Sequence, residues 1–136
     1  MPFIHVSLAG EPNAVLSAAI AKEITELTRS HLHKDPAVTA VAIDHIAPEH
    51  WFAGGKSLAG ENAKSFWLDI KVTDASNTKP EMAGYVQAVF AAMGRLLGAV
   101  HEESYILVHA VPAGAYGYGG KTQEFRYIAQ QLKQAA

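Results

Sequence analysis

The chain is written twice. The segment Trp51-Phe52-Ala53-Gly54-Gly55-Lys56-Ser57 superimposes without a gap on Tyr116-Gly117-Tyr118-Gly119-Gly120-Lys121-Thr122, and the same strand–helix–strand rhythm precedes each copy. In the first copy, Ile4, Val6 and Leu8 alternate with His5 and Ser7, which predicts a strand over 3–8 with one covered face. Asn13 stands where it can cap a helix, and Leu16, Ile20, Ile24 and Leu27 recur at helical spacing until the stretch from His31 to Pro36 stops it. Val38 to Ile46 predicts a second strand, ended by Pro48 and the Gly54-Gly55 pair.

The second copy is better marked. Phe66 to Val72 alternates as a strand, and Thr78-Lys79-Pro80-Glu81 has capping-box spacing with proline in the first turn. Met82, Val86, Val89, Phe90, Met93 and Leu97 form the apolar stripe of that helix, and Tyr105 to Val111 predicts the fourth strand. Phe125, Ile128 and Leu132 mark a short final helix.

A strand–helix–strand crossover is right-handed and makes its two strands parallel. The sequence therefore predicts an α/β (α+β) fold: a tandem βαβ repeat forming a four-stranded sheet with two helices on one face. One domain spans 1–136, with units at 1–59 and 65–122, a linker at 60–64 and a C-terminal helix at 123–136. On the other sheet face His5, Ser7, Asp69 and Lys71 mix with Phe3 and Trp67, too polar for a dry core and too apolar for a monomer surface. Copies of the same chain around a symmetry axis cover such a face, so the expected assembly is a homotrimeric barrel.

With 136 residues, 49% hydrophobic and 18% charged, the chain is long enough to bury a core. No apolar run approaches the roughly 20 residues a membrane helix needs, and no basic flank precedes an apolar stretch at the N-terminus. The expectation is a cytoplasmic protein with no membrane partner. A net charge of -2 without a block of Lys and Arg argues against nucleic acid. The absence of cysteine removes a thiolate nucleophile and a disulfide framework. The seven histidines show no metal spacing with supporting carboxylates, so neither a metal nor a cofactor is expected. Gly120-Lys121-Thr122 imitates the end of a phosphate loop, but Ala115 stands where that loop needs glycine.

The chemistry points to Pro2. Removal of Met1 leaves a secondary amine, one of the few groups besides histidine and carboxylate able to work as a base near neutrality. An apolar pocket that also holds a cation lowers its pKa toward 7. Trp51, Phe66, Trp67, Tyr105, Tyr116 and Tyr118 are the aromatic pool for its walls, and Tyr105 is a candidate donor to a developing enolate. Arg126, between Phe125 and Tyr127, is a candidate clamp for a substrate carboxylate.

Pro2 followed by Phe3-Ile4-His5-Val6-Ser7-Leu8, and the turn Trp51-Phe52-Ala53-Gly54-Gly55, resemble the tautomerase superfamily, whose βαβ units carry an N-terminal proline as catalytic base. With Pro2 on the family's proline, this turn falls without a gap on the aromatic and double-glycine segment of 4-oxalocrotonate tautomerase. The doubled length is similar to the fused tautomerases and the macrophage migration inhibitory factor group. The resemblance implies a cofactor-independent keto–enol tautomerase, an isomerase of a small 2-oxo or 2-hydroxy unsaturated acid. The alternatives are a hydratase or dehalogenase of a related acid, or a non-catalytic trimeric binding protein.

The chain also departs from that pattern. Glu11-Pro12 and Ala40 stand where 4-oxalocrotonate tautomerase has its two arginines, and the second half opens with Phe66 in place of a proline. Lys34 lies close to the basic residue that follows the first helix in the migration inhibitory factor group, and Tyr105 matches that group's tyrosine on the fourth strand, with Leu107 at the neighbouring asparagine position. The residues and the resemblance together make Pro2, Tyr105 and Lys34 the catalytic candidates and Trp51, Tyr116 and Arg126 the substrate-binding ones, Arg126 from its place between two aromatics alone. Of the two aromatics before the glycine pairs, the gap-free alignment favours Trp51 as the functional wall and Tyr116 as packing.

Overall fold

The computed structural model describes residues 2–135. In chain order the elements are β1 (Phe3–Ala9), α1 (Ala14–Leu32), β2 (Ala40–Ile46), the hairpin strands β3 (Phe52–Ala53) and β4 (Lys56–Ser57), β5 (Phe66–Thr73), α2 (Lys79–Leu97), β6 (Tyr105–Val111), the second hairpin β7 (Gly117–Tyr118) and β8 (Lys121–Thr122), and α3 (Gln123–Ala135). The main sheet has the order β2-β1-β5-β6. Within each unit the strands are parallel, and the units join through the antiparallel β1–β5 pair, with Phe3 opposite Lys71 and Ser7 opposite Trp67.

Both helices are capped as their sequences require. Asn13 accepts from the Leu16 amide, and Thr78 and Glu81 form a reciprocal capping box. Helix α1 ends on His33, whose left-handed φ of 60° turns the chain out of the helix. The second strand starts later than the apolar pattern suggests. Residues Pro36–Val38 form a 3-10 turn instead, because Asp35 accepts from the Ala37 amide and Thr39 donates to the Asp35 carbonyl.

The core lies between the sheet and the two helices. Ile4, Val6 and Leu8 of β1 and Phe66, Leu68, Ile70 and Val72 of β5 meet Ile20 and Ile24 of α1 and Tyr85, Val89 and Met93 of α2. Its one buried hydroxyl pair is satisfied: Tyr85 and Thr28 lie 2.9 Å apart, Thr28 donates to the Ile24 carbonyl, and burial pushes the phenol pKa up to about 12. Among the described residues no helix covers the opposite sheet face, and Phe3, Trp67, Tyr105 and Leu107 are exposed there beside His5, Asp69 and Lys71. Helix α3 packs on the turn Ala113–Ala115 and on β8, leaving Phe125, Ile128 and Leu132 exposed. Among the described residues no helix is long and apolar enough to cross a membrane.

Candidate active site

Pro2 is buried, and its carbonyl accepts from the Ala40 amide at 3.2 Å, which ties the start of β1 to the start of β2. It borders a cavity of about 400 Å³ lined by Phe3, by residues 37–40 and by residues 116–118. Among the described residues no charged side chain lines this cavity. Antiparallel joining of the units explains the composition, because it brings the C-terminal end of β6 to the N-terminal end of β1. The hairpin that follows β6, and not the one that follows β2, therefore folds over Pro2.

That hairpin is built by its glycines. Gly119 and Gly120 have φ of 61° and 78°, almost the values of Gly54 and Gly55 in the first hairpin, as a tight two-residue turn requires. Tyr116 is fixed at two points: its carbonyl accepts from the Gln123 amide at 3.0 Å, and its hydroxyl lies 2.7 Å from the Thr73 hydroxyl. The Arg126 guanidinium lies 3.8 Å over the Tyr118 ring and donates to the Tyr118 carbonyl at 2.8 Å. Its Nε is buried with no hydrogen-bond partner among the described residues.

A larger cavity of about 750 Å³ adjoins this region, lined by residues 73–76 and by one side of α3, including Arg126 and Tyr127. Lys34 is next to it and donates to Ser76 at 2.9 Å. Burial holds the Lys34 pKa below the usual lysine value, against the pull of Glu81.

Of the sequence candidates, one protomer brings Pro2 and Tyr116 into a single cavity, with Arg126 immediately behind Tyr118. Trp51 and Tyr105 are at the other end of the sheet. Trp51 follows β2 and accepts from the Leu58 amide, while Tyr105 pairs with Trp67, opposite Ser7 rather than Phe3. The Tyr105 hydroxyl donates to Glu103 at 2.8 Å, and that bond and the Glu103 charge push its pKa up. Arg29 and Arg95 pair with Glu26 and Glu23 on the helix surfaces. Among the described residues no group of three or more His, Asp or Glu could hold a metal ion. The contact of Thr73 with Tyr116 was not visible from the sequence. The signal was in the topology: Thr73 ends the strand beside β6, under the hairpin that carries Tyr116.

Residues 2–60 match the tautomerase enzyme family. No curated protein matches the chain. Among solved structures it is similar to Pt0534 inactivated by 2-oxo-3-pentynoate, with a TM-score of 0.79 and 12% identity over 91% of this chain and 98% of that one. It is similar to the Q0 fused 4-OT wild-type symmetric trimer, with a TM-score of 0.77 and 14% identity over 90% and 96% of the two chains. The first half matches the tautomerase family, and the whole chain has the tautomerase fold. A third tautomerase-fold structure, N1, a member of the cis-3-chloroacrylic acid dehalogenase family, aligns with a TM-score of 0.76 and 18% identity over 98% of this chain and 96% of that one. Against this fold the buried Phe66, which opens β5, takes the place in the second unit that Pro2 takes in the first.

Proposed function

We propose that the protein is a cofactor-independent keto–enol tautomerase of a small 2-oxo or 2-hydroxy unsaturated acid, with the Pro2 amine as general base once Met1 is removed. Met1 lies outside the described residues, so its removal is part of the proposal. The observation that carries this reading is the burial of Pro2 against a cavity without a charged side chain. Such a wall disfavours the ammonium form and moves a secondary amine toward the pKa a base needs at pH 7. Pro2 takes a proton from the carbon beside a carbonyl, the released electron pair runs to the carbonyl oxygen, and the proton returns elsewhere on the enolate.

Arg126 supplies the cation. It lines the larger cavity beside the one that Pro2 borders, and the stacked Tyr118 ring holds the guanidinium plane in place to meet a substrate carboxylate there. Lys34, engaged with Ser76, adds positive charge beside the larger cavity. We assign the wall of the site to Tyr116, and Trp51 and Tyr105 to contacts between copies. The uncovered sheet face supports a homotrimer, the state in which the Q0 fused 4-OT protein is described.

The likeness to N1 prompts the hydratase or dehalogenase alternative. That reaction needs a group to activate water, and among the described residues no carboxylate lines the Pro2 cavity. The test uses 2-oxo-3-pentynoate, to whose triple bond a free amine adds. Intact mass should show a chain lacking Met1 that gains one adduct, mapped to Pro2. An unmodified Pro2 in protein lacking Met1 opposes the reading.

A further inference from the structure

The contact between Thr73 and Tyr116 joins the last residue of β5 to the residue ahead of the second hairpin, 43 positions along the chain. Each hydroxyl has one hydrogen to give, and at 2.7 Å one of them donates to the other. With Thr73 donating, the phenol hydrogen is free, and Tyr116 is one of the residues that line the cavity Pro2 borders. A phenol whose oxygen already accepts a hydrogen bond is a stronger donor to a second partner. With its carbonyl bound to the Gln123 amide as well, Tyr116 meets the requirement for a donor fixed before charge develops.

The repeat offers an internal control. The bonds from Gly10 N to the Ile46 carbonyl and from Asp74 N to the Val111 carbonyl, both 2.9 Å, occupy equivalent places in the two units. Ala9 therefore stands where Thr73 does, and Trp51 where Tyr116 does, so neither hydroxyl exists at the other end of the sheet. There the place of Pro2 is filled by the buried Phe66. The hydroxyl pair is found only at the end that has the proline.

We propose that Tyr116 is the hydrogen-bond donor to the enolate oxygen formed at Pro2 and that Thr73 is the residue that positions it. This rests on the tautomerase reading and names the electrophilic partner in it. No covalent bond to Tyr116 forms. While Pro2 nitrogen holds the proton taken from carbon, the phenol O–H donates to the oxygen and keeps its own proton.

The test is steady-state kinetics of phenylpyruvate enol ketonisation for wild type, Pro2→Ala, Tyr116→Phe, Thr73→Val, Thr73→Ser and the Thr73→Val/Tyr116→Phe double variant, with circular dichroism confirming that each is folded. Tyr116→Phe should lower kcat about 10²-fold, the scale for losing one such donor, with little change in KM. Thr73→Val should lower kcat about 10-fold in wild type and not further in the Tyr116→Phe background, and Thr73→Ser should restore it. A Tyr116→Phe enzyme with wild-type kcat beside an inactive Pro2→Ala enzyme overturns this inference and leaves the proline reading standing. Equal loss from Thr73→Val in both backgrounds also overturns it. Wild type no faster than Pro2→Ala removes both.

Discussion

Asp69 is the most buried charge on the uncovered sheet face, and three neighbours surround it: the Lys71 ammonium, the Trp67 indole nitrogen at 3.0 Å and His5 Nδ1 at 3.7 Å. Burial works against its charge, and Lys71, Trp67 and His5 together outweigh burial, so its pKa lies below the ordinary aspartate value. A carboxyl whose native pKa is below its unfolded one stabilises the fold above the unfolded value, about 3.9, and loses that contribution as pH falls through the native pKa. Asp69→Asn should therefore cost roughly 1.5–3 kcal/mol at neutral pH, the range for a hydrogen bond to a charged group. It should also weaken the dependence of stability on pH below about 4. Urea unfolding at pH 7 and pH 3 checks both, and equal acid sensitivity in the two proteins contradicts the assignment. None of these partnerships is visible from spacing alone except the shared face of His5, Trp67, Asp69 and Lys71, which follows from strand alternation.

At the scale of elements, the second hairpin is held together by a close approach. A Cβ on Gly117 would lie 1.9 Å from the Lys121 carbonyl oxygen, so no side chain fits without parting the two strands. Gly117→Ala should open this hairpin and move Tyr116 and Tyr118 away from Pro2. The expected result is destabilisation of about 1–3 kcal/mol, as for an overpacked site, with a larger proportional loss in kcat/KM. Thermal melts and ketonisation rates check it, and a variant unchanged in both contradicts the close approach. Most elements were legible in the sequence: alternation marked the strands, the caps Asn13 and Thr78 marked the helix starts, and the glycine pairs marked the two hairpins. The start of β2 was not, since the apolar Val38 is continuous with the strand pattern while Asp35 and Pro36 close a turn around it. Nor was the choice of hairpin at Pro2. Gap-free alignment from Pro2 points to Trp51, but alignment along the chain says nothing about which end of the sheet a segment reaches, and within one chain the antiparallel β1–β5 junction sends the Tyr116 hairpin there.

For the whole molecule, the double βαβ arrangement leaves one sheet face and one side of α3 without cover among the described residues, and Phe66 fills the place in the second unit that Pro2 has in the first, so the proposed mechanism has one proline per chain. Enclosing those faces among three copies predicts a mass three times that of the chain by light scattering at micromolar concentration, and a stable monomer would contradict it. The repeat made this architecture readable from sequence, whereas the pairing of Thr73 with Tyr116 depends on how the two units join and could only be seen in three dimensions. The central claim is that a buried N-terminal proline amine does the chemistry, and its most direct test is kcat/KM for phenylpyruvate enol ketonisation by wild type and Pro2→Ala, both confirmed by mass to lack Met1. The substitution replaces a secondary amine with a primary one at the same point in the fold. The account predicts a loss of about 10²-fold or more, the scale for a general base, and equal rates in the two proteins would contradict it.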